Sequence, residues 1–185
     1  MERPNPFRFT INDYGRILEQ EILSRNERAE FIRGELFCIL PTSESHDSCR
    51  LRLHSQFSQR VCNVGTVVSD VPIRLADSAP RPDLALLKPG AKNSGSRMPE
   101  PDEVLLAVEI ADETLEYDRE MKGAIYAENG VPEYWIVNLI NNFLEVYRDP
   151  RPDGTYASIQ SLKAGDTITL VQLESISVAV ADILP

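Results

Sequence analysis

Two acidic residues stand at the ends of short apolar runs, where neighbouring strands of a sheet would bring them together. Asp83 follows Pro82 and precedes the run from Leu84 to Leu87, and Glu109 closes the run that begins at Val104. Two such strand ends side by side would place both carboxylates within reach of one cation. Mg²⁺ usually takes one or two carboxylates together with substrate phosphate. The pattern therefore predicts a metal site that polarises a phosphodiester and lowers the pKa of a bound water.

A lysine in the next predicted helix could complete this site. The segment from Leu115 to Asn129 has the pattern of a helix, and within it Asp118, Lys122 and Tyr126 follow one another at intervals of four residues. Residues at that interval share one helix face. The helix begins soon after the second apolar run, so its first turns can lie over the strand end. A lysine there would neutralise charge that develops on the phosphate or help to position the water.

Each of these signals also has a purely structural interpretation. An Asp after a proline is commonly a turn residue, and a Glu at a strand end is commonly the solvated edge of a sheet. Asp118 and Lys122 could form a surface ion pair of little energetic weight. The hypothesis of a site depends on the combination, a strand–strand–helix order that carries Asp83, Glu109 and Lys122 in sequence.

Short strands and about three helices must position these residues. Helices are predicted over residues 10–24, from an N-cap at Ser43 or Ser45 to about Cys62, and over 115–129. Strands or hairpins are predicted over residues 30–40, 66–75, 83–87, 104–110, 133–139 and 143–148. Residues 88–102 form a long loop, and 141–142, 152–154 and 164–166 have turn signals. The pattern predicts an α/β or α+β protein with a mixed central sheet and extra C-terminal hairpins.

Length and composition limit the function classes. The chain has 185 residues, of which 42% are hydrophobic, as expected for one domain over residues 1–185 with residues 1–9 as an arm. No apolar run approaches the roughly 20 residues of a membrane span, and the N-terminus lacks the apolar stretch of a secretory signal. The three cysteines form no CxxC pair, which indicates free thiols in a cytoplasmic protein. Neither a nucleophile elbow nor a Walker loop is present.

The net charge of −10 argues against tight, extended wrapping of DNA. Two considerations reduce this objection. A metal site must hold several carboxylates, and bound cations cancel part of their charge. Basic residues can also cluster locally, and we expect phosphate contacts from the loop between Lys88 and Arg97 and from the second helix, through Arg50, Arg52 and Arg60.

Several stretches of the chain resemble the Uma-two-type restriction endonuclease family, which is placed in the PD-(D/E)XK nuclease superfamily. The resemblance runs from about Thr10 to the last strands. The stretches are E-F-I-R-G-E at 30–35, S-x-S-H at 43–46, R-P-D-L-A-L at 81–86, V-E-I-A at 108–111, D-R-E-M-K at 118–122 and Y-A-E-N-G-V-P-E-Y-W-I-V-N at 126–138. The resemblance implies a restriction-endonuclease-like core and cleavage of DNA that depends on Mg²⁺, with Mn²⁺ able to substitute. A cut through both strands would further imply a homodimer.

The resemblance also implies roles for matched positions in the metal site. Asp83 is the aspartate of the PD element, Glu109 is the second acid, and the carbonyl of Ile110 is a third metal ligand. The usual lysine position of the superfamily falls on Ala111, and in this family the lysine is displaced into the following helix, at Lys122. A serine is the usual residue at position 111, so Ala111 is a departure.

Supporting roles follow from the same comparison. Glu30 matches an acidic position that approaches the metal or its water, and Asp118 is expected to orient Lys122. Tyr126 continues the helix face that these two residues share. His46 matches a recurrent histidine at the start of the second helix, although a hydrogen-bonding role near the helix N-terminus, away from substrate, is the alternative that we favour for it.

Two functional hypotheses therefore remain at this stage. The first is a Mg²⁺-dependent endonuclease that hydrolyses phosphodiester bonds in DNA, with RNA as another substrate that the sequence leaves open. The second is a catalytically impaired nuclease fold that serves as a binding or homo-oligomeric assembly module. The acidic charge and Ala111 motivate the second hypothesis.

Overall fold

The computed structural model describes residues 7–23, 29–39, 41–91 and 97–185 of the chain. Four parts of the predicted elements lie outside these ranges: residues 1–6 of the arm, residue 24 at the end of the first helix, residue 40 at the end of the segment predicted over 30–40, and residues 92–96 of the long loop. Among the described residues, no helix combines the length and the apolar character needed to cross a membrane.

The helices and strands follow the order predicted from the sequence, with additional strands at the C-terminal end. Their bounds are α1 (Ile11–Glu19), β1 (Ala29–Ile32), β2 (Glu35–Cys38), α2 (Glu44–Val61), β3 (Thr66–Val68), β4 (Leu84–Leu87), β5 (Val104–Ala111), α3 (Leu115–Tyr117), α4 (Gly123–Glu128), β6 (Glu133–Asn138), β7 (Phe143–Pro150), β8 (Tyr156–Leu162), β9 (Thr167–Thr169) and β10 (Ser177–Ala179).

A six-stranded mixed sheet forms the centre of the molecule, which confirms the predicted fold class. Its strands lie in the order β3-β4-β5-β6-β7-β8. Strands β5 and β6 are parallel, and every other neighbouring pair is antiparallel. A parallel pair needs a crossover, and the helical segment from Leu115 to Glu128 provides it. Strands β1 and β2 form a separate hairpin, and β9 pairs with β10.

Both faces of the sheet are covered by apolar packing. On one face, α2 buries Cys49, Leu53, Phe57 and Val61, the stripe predicted from helical spacing. The Phe57 ring lies 5.8 Å from that of Trp135, a core residue as predicted. The opposite face is covered by α4 and a group of tyrosines, and α1 packs Tyr14 against Phe31 of the β1–β2 hairpin.

The helical crossover between β5 and β6 is not a regular α-helix. Between α3 and α4, residues Asp118–Lys122 form a π-helical turn, in which the Gly123 N–H donates to the Asp118 carbonyl five residues earlier. The predicted helix over 115–129 is therefore present but wider in its middle. It ends before Gly130, whose φ of 74° lies in the left-handed region that glycine adopts without strain.

The strand predicted over residues 66–75 is wrong beyond Val68. Asp70 has a φ of 57°, which no regular strand contains, and Pro72 cannot donate a hydrogen bond to a neighbouring strand. The chain instead turns back on itself through single backbone bonds, from Asp70 N to the Pro82 carbonyl and from Ile73 N to the Pro80 carbonyl. This irregular segment is hydrogen-bonded to the residues that lead into Asp83 and β4.

Candidate active site

The register of two antiparallel strands brings Asp83 beside Glu109. Leu84 of β4 lies opposite Val108 of β5, so the preceding position, Asp83, faces Glu109. Residues that are opposite in such a pair have Cβ atoms about 5 Å apart. The Ile110 N–H also donates to Asp83 Oδ2 at 2.8 Å, which holds the carboxylate against β5. The structure thus brings these acids together as the sequence analysis predicted.

Three carboxylates surround the ammonium group of Lys122. Its Nζ is 2.9 Å from Glu30 Oε1, 3.0 Å from Glu109 Oε2 and 3.7 Å from Asp118 Oδ1. All of these side chains are at least nine-tenths buried. We call these four residues, together with Asp83, the acid–lysine cluster. One ammonium group therefore contacts three carboxylates. Lys122 makes these contacts although it lies 11 positions after Ala111, where the usual lysine was expected.

The π-helical turn directs two members of the cluster inward. Asp118 and Lys122 are the first and last residues of that turn, and both are buried. The Thr114 hydroxyl donates to Asp118 Oδ2 at 2.6 Å, and the Tyr134 hydroxyl donates to the Asp118 carbonyl at 3.0 Å. Since isolated π turns recur at functional sites, this distortion is consistent with a helix shaped to present these two side chains.

Glu30 and Tyr126 approach the cluster from different elements. Glu30 lies on β1, and its Oε1 accepts a hydrogen bond from the Arg81 N–H at 2.9 Å in addition to the contact with Lys122. Tyr126 lies on α4, and its hydroxyl donates to Glu109 Oε1 at 3.1 Å. Both predicted residues therefore lie at the site, Glu30 as a direct partner of Lys122 and Tyr126 behind Glu109.

His46 has a closer relation to the site than a capping role requires. Its backbone N–H donates to the N-cap hydroxyl of Ser43, while its ring Nε2 lies 3.1 Å from Asp83 Oδ2. Burial lowers the pKa of His46, but hydrogen bonding and charge attraction from Asp83 raise it above the ordinary value overall. The His46 ring lines the same cavity, beside Asp83.

The acid–lysine cluster has an excess of negative charge. Burial raises the pKa of Glu109 well above its usual range, and Lys122 offsets this only in part because Asp118, Asp83 and Glu30 add to the shift. Burial likewise raises the pKa of Asp118. Burial acts to lower the pKa of Lys122, but Glu109, Glu30 and Asp118 raise it well above its usual value, so this side chain stays charged.

A cavity of about 270 Å³ opens onto the cluster. Its walls come from the end of the β1–β2 hairpin, the start of α2, the ends of β4 and β5, and the crossover helix. The lining residues are Glu30, Phe37, Cys38, Ile39, Pro41, Thr42, His46, Arg81, Asp83, Glu109, Ile110, Asp112, Glu113, Thr114, Tyr117, Asp118 and Lys122. The cavity therefore joins a buried acidic site to an apolar wall built by the hairpin.

The donor set fits a hard divalent cation. Asp83 Oδ1 accepts no hydrogen bond from the described residues, whereas Oδ2 accepts from Ile110 N. Within the described ranges, no group of three or more His, Cys, Asp or Glu side chains is arranged so that it could hold a metal ion. Two carboxylates and a main-chain carbonyl are nevertheless sufficient for Mg²⁺ when phosphate completes the coordination. Burial is the main cause of the raised pKa of Glu109, and the neighbouring carboxylates Asp118, Asp83 and Glu30 add to it.

The arginines of α2 that were predicted to contact phosphate lie outside the cavity and have contacts within the protein. Arg50 pairs with Asp47, Arg52 donates to the Leu184 carbonyl, and Arg60 contacts Asp182. None of the three lines the cavity. Their partners, neighbouring acids and the C-terminal segment, could not be read from the sequence of the helix.

Tyr117 and Phe37 also line the cavity, and neither was predicted from the sequence. The Lys122 Nζ lies 5.9 Å from the centre of the Tyr117 ring. Residues five apart do not share a face of a regular α-helix, so only the π turn brings Tyr117 to Lys122. The only sequence feature that could have indicated Phe37 is its position in the β-rich segment after Gly34.

Comparison with known proteins places the chain among nuclease-like folds. A family model named Uma2 and described as "Putative restriction endonuclease" matches residues 12–181. A crystal structure of "a putative nuclease belonging to DUF820" from Anabaena variabilis aligns with a TM-score of 0.69 over 96% of this chain and 97% of that chain, at 12% identity. At this identity the likeness concerns the fold alone. No curated protein matches the chain.

Proposed function

The chain belongs to the Uma2 family, and from that premise we propose that it is a Mg²⁺-dependent nuclease that hydrolyses phosphodiester bonds in DNA. The observation that carries this proposal is the acid–lysine cluster at the base of the cavity, with Lys122 bound to Glu30 and Glu109 beside Asp83. Buried ionisable groups with strongly shifted pKa values, gathered in a cleft, are typical of catalytic sites.

Asp83 and Glu109 would hold the metal ion, with the Ile110 carbonyl as a third ligand. When bound, Mg²⁺ supplies Lewis-acid polarisation of the phosphodiester and acidifies water. His46 and the Ile110 N–H both contact Asp83 Oδ2, so Oδ1 would be the oxygen that remains for the metal ion. Tyr126 restrains Glu109 through Oε1. These contacts orient the two carboxylates before a substrate arrives.

Lys122 and Glu30 supply the remaining chemistry. The Lys122 ammonium lies 3.0 Å from Glu109, so it is close enough to stabilise the negative charge that accumulates on a phosphate held there. Glu30 shares the same ammonium at 2.9 Å, and its carboxylate can accept the proton of the attacking water. Asp118 restrains Lys122 from the other side, 3.7 Å away.

This arrangement supports membership of the PD-(D/E)XK superfamily with a displaced lysine. The short lysine spacing of the superfamily would use position 111, which is Ala111 in this chain. Lys122 contacts the second acid, Glu109, from the following helix instead. A lysine from that direction reaches the same carboxylate pair, so Ala111 does not argue against activity.

The proposal is tested by metal binding and by DNA nicking. Calorimetric titration with Mn²⁺ and with Mg²⁺ should show binding to the wild type, and Asp83→Asn should abolish it. With supercoiled plasmid, nicking should need either ion and fall at least about 10²-fold in Asp83→Asn, because the substitution removes a metal ligand. Activity that survives this substitution would contradict the site.

Glu116→Gln is the matched control for these measurements. Glu116 is exposed on the crossover helix, next to Tyr117, and does not line the cavity. The same loss of one negative charge should leave metal affinity and nicking unchanged. A chain that binds neither ion at millimolar concentration and forms a stable homo-oligomer would instead support the binding or assembly module. Equal cleavage of RNA and DNA would widen the substrate class.

A further inference from the structure

The wall of the cavity beside the acid–lysine cluster is aromatic. The Phe37 and Tyr117 rings lie 6.4 Å apart at an angle of 51°, and we call this pair the aromatic ledge. Phe37 comes from β2 and Tyr117 from the end of α3. The Phe37 side chain is 40% exposed. A single exposed phenylalanine is common on protein surfaces, so its position at this cavity, and not its exposure, makes it informative.

The aromatic ledge is continuous with the proposed catalytic groups. The Tyr117 ring lies 5.9 Å from Lys122 Nζ, and Lys122 contacts Glu109 directly. A phosphodiester held at Asp83 and Glu109 would therefore have its attached sugar and base within reach of Phe37. Nucleobases stack on aromatic side chains irrespective of sequence, because every base has a π-face.

Two buried polar atoms indicate that the cavity receives a polar ligand. Across the described ranges, the side-chain atoms that are buried without a hydrogen-bond partner are Tyr117 Oη and His46 Nδ1. Both residues line this cavity, and His46 is more than nine-tenths buried. Buried polar atoms are nearly always hydrogen-bonded in folded proteins. Their coincidence at one cavity points to a ligand with hydrogen-bonding groups near the ledge.

The charges around the cavity disfavour a duplex held by its backbone. Three cationic side chains line it among the described residues, and each one already contacts a carboxylate: Lys122 with Glu109, His46 with Asp83, and Arg81 with Asp70. Binding of a duplex depends on several lysines and arginines that neutralise successive phosphates. With a net charge of −10, stacking is the source of affinity that this cavity offers most directly.

We infer that the site takes an unpaired nucleotide, from single-stranded or locally opened DNA, with its base on the Phe37–Tyr117 ledge and its phosphate toward Asp83 and Glu109. This inference rests on the proposed nuclease function. The cavity volume of about 270 Å³ lies just below the range of about 300–1,000 Å³ that is typical of small-molecule pockets. It suits one nucleotide and is far too small for a segment of duplex.

The test compares one DNA sequence in two forms. A fluorescein-labelled 15-nucleotide strand and the same strand annealed to its complement are each tested for cleavage with Mn²⁺ and for binding by fluorescence anisotropy. The wild type should prefer the single strand at least about 10-fold in kcat/KM and in affinity. Phe37→Ala should remove most of that preference, a loss of about 10-fold on the single strand, as expected for one stacked base. Phe37→Tyr should retain it.

Leu36→Ala is the matched control, because Leu36 is a neighbouring residue of β2 with similar exposure that does not line the cavity. It should behave as the wild type. Tyr117→Phe keeps the ring and should lower affinity several-fold by loss of the hydroxyl. Equal or better use of the duplex, or equal losses in Phe37→Ala and Leu36→Ala, would overturn the inference. The latter result would identify the hairpin as a protein-contact surface.

A substrate without a base separates this inference from the proposed function. Bis(p-nitrophenyl) phosphate is a phosphodiester that requires the metal site but offers no nucleobase. Its hydrolysis by the wild type, lost in Asp83→Asn, together with no preference for single strands, would reject the aromatic ledge alone. Absence of hydrolysis and of Mn²⁺ binding would reject the nuclease function. Anisotropy would then still report whether Phe37 binds a base.

Discussion

Two groups of buried charges lie in this molecule, and they differ in charge balance. The acid–lysine cluster has four carboxylates around one ammonium group, with His46 at its edge. The second group, which we call the paired cluster, consists of two separate ion pairs on opposite faces of the sheet, with two carboxylates and two guanidinium groups. Its members are Glu133 with Arg148 and Glu145 with Arg119, each pair in contact at 2.6 Å.

Hydrogen bonds complete the paired cluster. Glu133 Oε1 also accepts from the Trp135 indole, and its Oε2 accepts from the Val171 N–H at 2.9 Å. Glu145 accepts from Arg119 through both oxygens and from Tyr147 and Asn138. Such groups need no ligand, because every charge already has a partner of opposite sign.

The pKa shifts of two buried glutamates show the difference in charge balance between the two clusters. Burial raises the pKa of Glu145, but hydrogen bonds from Arg119, Tyr147 and Asn138 outweigh it, and the pKa is lowered overall. Burial also raises the pKa of Glu109. Lys122 lowers it, but three other carboxylates raise it further, so the pKa stays well above its usual range. Balanced buried charge is a structural feature, whereas unbalanced buried charge indicates a site.

The largest effect is expected from removal of the one cation in the acid–lysine cluster. Lys122→Met leaves Glu30, Glu109 and Asp118 without it, and we expect a loss of about 3–5 kcal/mol in the free energy of unfolding at pH 8, with no nuclease activity. The loss should shrink at pH 5, because Glu109 and Asp118, whose folded-state pKa values are already raised, take up protons. Urea unfolding at both pH values measures this.

Lys163→Met serves as the comparison, since Lys163 is exposed near the C-terminal hairpin. It should change the free energy of unfolding by less than about 0.5 kcal/mol. If Lys122→Met were as stable as the wild type at pH 8, the carboxylates would not depend on this ammonium group. The description of the cluster as unbalanced would then be wrong.

A smaller loss of stability is expected from a substitution in the paired cluster, and nuclease activity should not change. Glu133→Gln removes the charge that Arg148 contacts, and we expect a loss of about 3 kcal/mol in the free energy of unfolding. Below its melting transition, the variant should bind Mn²⁺ and nick DNA with wild-type kcat/KM. Calorimetry and nicking at 15 °C check this. A tenfold loss of activity in the folded variant would show that the two clusters are coupled.

The smallest change is expected from Glu109→Gln, and it should be a gain in stability. In the wild type, stability falls as pH rises from the ordinary value of 4.5 toward the raised folded-state pKa of Glu109, because ionisation is disfavoured there. Glutamine does not ionise, so the variant should match the wild type at pH 4 and exceed it by about 1 kcal/mol at pH 8. Its nuclease activity should be lost.

Glu145→Gln provides the reverse case for the same pair of measurements. The folded-state pKa of Glu145 is lowered, so its contribution is present above the ordinary value and disappears as pH falls through the folded-state value. This variant should be less stable than the wild type by about 1–2 kcal/mol at pH 8, with a smaller difference at acid pH. The same direction of change in both variants would contradict the comparison.

Much of the fold could be predicted because it depends on local preferences. Ser43 caps α2, the helix buries its predicted apolar stripe, and the crossover helix ends before Gly130. The hairpin signal at Asn141-Asn142 joins β6 and β7, and Asn142 has a φ of 53° as that turn requires. Capping, turn chemistry and apolar spacing all operate within a few residues, so the sequence expresses them directly.

The parts that could not be predicted depend on distant contacts. The strand expected over 66–75 stops at Val68 because Asp70 and Ile73 bond to Pro82 and Pro80. The sequence also did not indicate the protein partners of the α2 arginines, which are Asp47, Asp182 and the Leu184 carbonyl. No local pattern announces such partners, because each lies on a segment whose approach is set by tertiary packing.

The order of apolar runs, turns and acidic residues along the chain is enough to identify the candidate residues for chemistry and the elements that carry them. Asp83 and Glu109 lie at adjacent strand ends because apolar runs place them there, and the helix that follows carries Lys122. Only the tertiary structure decided the charge balance. Glu30 reaches Lys122 from a hairpin 92 positions earlier, and the π turn adds Tyr117. Burial and charge compensation depend on everything that packs around a group, and that is known only once the chain has folded.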